Sequence, residues 1–259
     1  MASVNSSSPL SLFYRYFHYT LSLLVVVLVI VTFGNFQVFI SKQTLHQWDG
    51  DIPVLVRFLG NCFLLLVFIM QHSVMATEWF KSNLATWLQI NVSERLLYVT
   101  CTCITLLFLI LWWQSIPETY LWYIDTEQRS FLWLFFFLLH LVGWVALGLE
   151  VLIMDFREMI GVDQVYRYYN HQNPLLLRRA RKLREIYSRM RHPGAVILTT
   201  LLWLHPLMTL DRLILACTLT SYTIGHHSFD ESHYEFAEKY FTVQFSETVH
   251  KSYTRNQHS

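Results

Sequence analysis

Charge is what this chain has least of. Asp, Glu, Lys and Arg make up 14% of its 259 residues, too few to cover a soluble domain of that length. Glycine (8) and proline (6) are also scarce, which excludes collagen-like and linker-rich architectures. The formal net charge is +1, so no bulk attraction to nucleic acid is implied. The four cysteines, Cys62, Cys101, Cys103 and Cys217, all lie inside apolar runs, and none stands at zinc- or thioredoxin-type spacing. They read as small buried hydrophobes and not as a disulfide framework. A cleavable signal peptide is not expected. Residues 1–19 are polar and aromatic, with Arg15 as the only strong positive charge, and the apolar stretch behind them is too long for a signal peptide. The terminal Asn256-Gln257-His258-Ser259 matches no retrieval or lipidation signal.

What is abundant is apolar sequence, in runs long enough to cross a bilayer. About 20 apolar residues are needed for one crossing. Four stretches qualify: Thr20 to Ile40, Ile52 to Met70, Leu96 to Trp113 and Phe131 to Met154. In the second, Pro53 is expected in the first turn, and Arg57 near the outer end is expected to snorkel. From Pro193 to Gly225 the chain is apolar but interrupted by His205, Pro206, Asp211 and Arg212. That pattern predicts a helical hairpin, either two short spans or a re-entrant pair. The expected fold is therefore all-α: one integral membrane domain over residues 1–259, a polytopic transmembrane helical bundle. It has about six membrane segments, the last two forming a short hairpin.

Loop charges orient this bundle. Residues 155–192 hold nine Lys or Arg, nearly half of the chain's 19. Lys81, Lys239, Lys251 and Arg255 fall on the same face; Asp49, Asp51, Glu118, Asp125 and Glu127 fall on the other. Both termini are thus expected in the cytosol or nucleoplasm, with Trp122 and Tyr123 in an aromatic belt on the far side. Within the basic loop, Asn173-Pro174 caps a helix to Met190. Leu176, Ala180, Leu183, Tyr187 and Met190 would share one face, and Arg and Lys crowd the other. Such a helix suits anionic membrane lipids, and equally an ordinary positive-inside flank. It lacks the aromatic interleaving of a nucleic-acid site, so no specific nucleic acid is expected.

Polar residues at membrane depth are expensive and therefore informative. Four clusters should share the near face: Gln71-His72-Ser73; Asp155, Glu158 and Gln164; Arg191-His192-Pro193; and Asp230-Glu231. Nothing comparable is expected on the far side, where Asp211-Arg212 reads as the polar tip of the hairpin. Each cluster has a plain structural explanation, as helix cap or solvated tail, but their joint placement points to a pocket. His226, His227, Asp230, Glu231 and His233 are metal-ligand types, yet they form a single histidine patch. Ligand count argues against a metal site.

Several motifs resemble the nurim family of inner-nuclear-membrane proteins and, more distantly, the membrane methyltransferase superfamily of isoprenylcysteine carboxyl methyltransferase and methanethiol S-methyltransferase. They are Gln71-His72-Ser73-Val74-Met75-Ala76; Glu94-Arg95 with Tyr98-Val99; Gly161 and Gln164-Val165-Tyr166; Arg191-His192-Pro193; Met208-Thr209 with Arg212-Leu213; and Tyr222 before Asp230-Glu231. The resemblance runs from about residue 60 to 240. It implies an inner nuclear membrane location with nucleoplasmic termini, and nuclear-envelope or lamina partners. It further implies that any S-adenosylmethionine would be held by Arg191, His192, Pro193, Asp230 and Glu231. Gln71, His72, Glu158, Gln164 and Tyr222 would line the pocket. A helix start suits the cofactor's carboxylate, and acidic side chains suit its ammonium. Ala195 and Ile197 stand where the enzymes carry an aromatic and a glycine, so the resemblance favours a structural protein over a methyltransferase acting on a lipophilic thiol or carboxylate. No catalytic residue is assigned.

Overall fold

The computed structural model describes residues 9–44, 50–77, 79–81, 83, 92–153, 156–170 and 193–229. The described chain runs α1 (Pro9–Ser41), α2 (Val54–Ala76), α3 (Glu94–Trp112), β1 (Tyr120–Tyr123), α4 (Ser130–Ile153), α5 (Phe156–Ile160), α6 (Val162–Tyr169), α7 (Pro193–Trp203), β2 (Leu207–Thr209) and α8 (Leu210–Phe229). Residues up to Ala216 form one compact unit; those from Cys217 form a second, in which the described part is the remainder of α8.

Among the described residues, four helices are long and apolar enough to cross a membrane: Leu12–Ser41 within α1, then α2, α3, and Ser130–Leu152 within α4. Their apolar side chains lie largely on the outside, as in Leu23, Leu24, Leu55, Phe63, Leu111 and Phe131. That exposure suits helices whose solvent is lipid. Three boundaries differ from the sequence expectation. The polar, aromatic residues from Pro9 to Tyr19 continue α1 instead of preceding it. Helix α2 runs on to Ala76, so Gln71, His72 and Ser73 lie within it and not past its end. Pro53 caps α2 from outside, its carbonyl accepting Val56 N–H and Arg57 N–H.

The region expected as a helical hairpin interrupted midway carries more structure at its turn. Helix α7 has 11 residues. At about 1.5 Å per residue it covers roughly half of a ~30 Å hydrocarbon core. The turn between α7 and α8 contains β2, which pairs antiparallel with β1 as Tyr120↔Thr209, Trp122↔Met208 and Tyr123↔Leu207. The polytopic helical class holds, with this one small two-stranded sheet added among the described residues. A strand of three residues carries no periodicity that distinguishes it from the helices beside it.

On the near face, α5 and α6 pack under α1 and α3. Val25, Leu96, Ile160 and Val165 form a buried core, flanked by Tyr19, Val99, Phe156 and Tyr169. Gly161 makes the sharp turn between α5 and α6 with φ +95°. A Cβ there would lie 2.9 Å from Arg95 Cβ and 3.1 Å from the Leu96 backbone nitrogen. The left-handed conformation and the lack of room both demand glycine. Gly161→Ala is expected to cost about 2–4 kcal/mol, from backbone strain plus displacement of the α3 start. A thermal melt in detergent checks this, and an unchanged midpoint would refute it.

Candidate functional site

Of the residues expected to line a near-face pocket, the structure joins Gln71 and His72. Both lie on α2 and face α3. The Gln71 side-chain amide lies 3.4 Å from Thr102 Oγ1 and 3.1 Å from Met75 Sδ, while the Thr105 hydroxyl donates to Gln71 Oε1 at 2.9 Å. Tyr98 OH lies 3.0 and 3.1 Å from the two ring nitrogens of His72. Phe68 stacks on the other face of His72, ring centroids 5.8 Å apart. One turn of spacing explains the clasp: Tyr98, Thr102 and Thr105 recur at i, i+4 and i+7 along α3, directly opposite α2. Polar groups that pair across two helices in lipid hold those helices together.

Arg95 and Val99 of the same motif face away from α2. Arg95 Nε donates to the Met159 carbonyl at 2.9 Å, and Val99 packs on the near-face core. Val165 is wholly buried in that core. Thus Arg95, Tyr98, Val99, Gly161 and Val165 brace α3 against its neighbours. Gln164 lies on α6 beside Val165, and Glu158 lies on α5. Tyr222 lies on α8 in the second unit. Pro193 is the first residue of α7. Arg191, His192, Asp230 and Glu231 fall outside the described residues, as do the basic helix from Pro174 to Met190 and His233. Among the described residues no cluster of three or more His, Cys, Asp or Glu is placed to hold a metal.

The far face, from which little was expected, carries the most developed polar network. Asp211, 5% exposed, accepts Trp113 Nε1–H and Ile116 N–H, each at 3.0 Å. Arg212 reaches the end of α1, donating to the Ile40 carbonyl at 3.0 Å and the Lys42 carbonyl at 2.6 Å. Cationic donors suit the unpaired carbonyls of a helix C-terminus. Ser41 receives Trp144 Nε1–H at 2.7 Å and bonds His140 Nδ1 at 2.9 Å. The His205 carbonyl accepts Trp122 Nε1–H at 2.9 Å. Burial first, and the nearby Arg212 charge second, push His205 down to about 2, so it stays neutral at physiological pH. Asn61, fully buried, exchanges two hydrogen bonds with the Gln114 backbone at 2.7 and 2.9 Å. Arg57 does not snorkel: it is 3% exposed and turns inward to the connection after α3.

Sequence reasoning missed this network because it took Asp211-Arg212 for a solvated tip. The overlooked signal was the isolated polar residues inside apolar runs: Asn61 and His140.

Known proteins resemble this helical chain in sequence. It is 36% identical to bovine Nurim over 184 residues, 70% of this chain and 69% of the relative. It is 34% identical to human Nurim over 207 residues, 77% and 75% of the two chains. The chain belongs to the nurim family. A Drosophila Nurim homolog shares 35% identity over 158 residues, 61% of this chain and 62% of the relative. No family model matches the chain, and no solved structure matches it. In this nurim-family member Gln71, Arg95, Tyr98, Val99, Gly161 and Val165 form helix-to-helix braces.

Proposed function

We propose that this chain is a multi-pass structural protein of the inner nuclear membrane. It keeps a methyltransferase-type scaffold without methyl transfer as its role, and both termini lie in the nucleoplasm. The observation that carries the reading is what the shared motif residues do. Gln71 and Tyr98 bond between α2 and α3, Arg95 bonds to the α5 backbone, and Gly161 is held against α3. Each of these residues has a structural task that needs no ligand. The Lys/Arg excess on residues 155–192 supports the orientation. Its partners would be membrane lipids and, through them, the nuclear envelope.

Two measurements test this. A fluorescent fusion is expected at the nuclear rim, and terminal epitope tags are expected to be reached, for protein in the endoplasmic reticulum, once the plasma membrane alone is permeabilised. A reticular pattern excluding the rim, or tags reached only after all membranes open, would overturn location or topology respectively. Titration of the purified protein in detergent with S-adenosylmethionine is expected to show no binding below about 1 mM. Micromolar binding would overturn the structural reading in favour of a methyltransferase.

A further inference from the structure

Helices α4 and α7 run antiparallel in a fixed register. His140 Nε2 lies 3.3 Å from the Leu204 carbonyl at the far end. A Cβ on Gly143 would sit 2.5 Å from Leu201 Cδ2. A Cβ on Gly194 would sit 2.5 Å from Glu150 Oε2 and 3.1 Å from both Cδ and Oε1. Steps of three and seven residues along α4 are matched by equal steps back along α7. This register places the Glu150 carboxyl group against the first turn of α7, at the one position there without a side chain.

The placement is chemically specific. Glu150 lies near the inner end of a candidate membrane span. Its Oε2 is buried and has no hydrogen-bond partner among the described residues. A carboxylate in such a place is costly, and the positive end of a helix dipole is one of the few fields that offsets the cost. Gly194 lets the carboxylate approach closely. The resemblance to methyltransferases assigns the same helix start to the carboxylate of a bound cofactor. The residues do not fit that assignment, because a carboxylate of the chain already stands there and a second anion would meet it.

We propose that the Glu150 carboxyl group is the resident occupant of the α7 start, filling from within the chain the place where a bound ligand's carboxylate would otherwise lie. The consequence is a helix start closed to anionic ligands. The contact rests on the geometry alone; its bearing on the cofactor rests on the methyltransferase-type scaffold.

The test separates the two. Gly194→Ala is introduced into wild-type, Glu150→Gln and Glu150→Ala protein, and each is melted in detergent. Alanine is the better helix former, so Gly194→Ala should raise the midpoint where Glu150 has been shortened to alanine. With Glu or Gln at 150 the same change must expel the side chain. The effect of Gly194→Ala should then be less favourable by about 3 °C or more. An equal effect in all three backgrounds would overturn the proposal. The same proteins are then titrated with S-adenosylmethionine. Glu150→Ala is expected to bind at least tenfold more tightly than wild type, which corresponds to about 1.4 kcal/mol. Wild-type binding that Glu150→Ala leaves unchanged or weakens would also overturn it. Coupling between 150 and 194 with no binding by either protein would uphold the contact and sink the methyltransferase-type scaffold instead.

Discussion

Asp211→Ala is expected to lower the thermal midpoint of the detergent-solubilised protein by about 10 °C. Asp211 sits at the start of α8 and is 5% exposed. One carboxylate oxygen accepts Trp113 Nε1–H and the other accepts Ile116 N–H. Alanine would leave both donors buried and unpaired, at about 1–3 kcal/mol each. It would also remove the negative charge that acts on the adjacent Arg212. The effects share one site and do not add. A total near 4 kcal/mol, at about 2–4 °C per kcal/mol for a chain of this size, gives the stated shift. Asp211→Asn keeps one acceptor oxygen and should lose about half as much. A shift below about 2 °C for alanine would show that the connection after α3 is held by something other than Asp211.

The transmembrane helices were legible because lipid imposes one simple demand: an apolar run of sufficient length, with its backbone bonds satisfied internally. Helices α3 and α4 lie within two residues of the expected bounds. What the sequence concealed were the places where a short segment answers to a distant one. Strand β2 exists because Leu207–Thr209 finds Tyr120–Tyr123, some 85 residues earlier by the pairing register, and no local pattern announces that partner. The polar residues from Pro9 to Tyr19 are helical because these turns of α1 are also contact surface. Arg15 Nη2 lies 3.3 Å from Asn170 Oδ1, and His18 Nδ1 lies 2.9 Å from Tyr169 OH.

The candidate site was legible in part, for the same reason. Motif spacing singled out Gln71, His72, Arg95, Tyr98 and Gly161, with Gln71 and His72 expected to line a pocket. It could not show the helix contacts that these residues make. Gly161 looks identical in sequence whether it admits a ligand or the Arg95 side chain; only its neighbours decide. Glu150 was missed because a single acid in a long apolar run contributes no motif. Its meaning appears only when the register of α4 against α7 puts it at Gly194.

Arg57→Met should show how a buried charge near a membrane surface contributes when its partners are mostly backbone. Arg57 donates Nε–H to the Ile52 carbonyl at 3.1 Å and Nη1–H to the Ser115 carbonyl at 2.6 Å, and its Nη2 pairs with Glu118. Methionine keeps the length and apolar stem but abandons two carbonyl acceptors and the Glu118 carboxylate. The expected cost is about 3 kcal/mol. Glu118→Gln should cost under about 1 kcal/mol, because that side chain is 44% exposed and its charge is screened. The hydrogen bond from Arg57 holds the Glu118 carboxyl below its ordinary value. A carboxyl lowered in the folded state contributes stability above its unfolded value and loses it as pH falls through the folded one. Wild-type protein should therefore lose a small increment of stability on the acid side of the usual carboxylate range. Glu118→Gln and Arg57→Met should both lack that increment, while only Arg57→Met shows the large loss at neutral pH. Equal losses for the two substitutions at neutral pH would mean that the ion pair, and not the carbonyls of Ile52 and Ser115, holds the α2 start to the connection after α3.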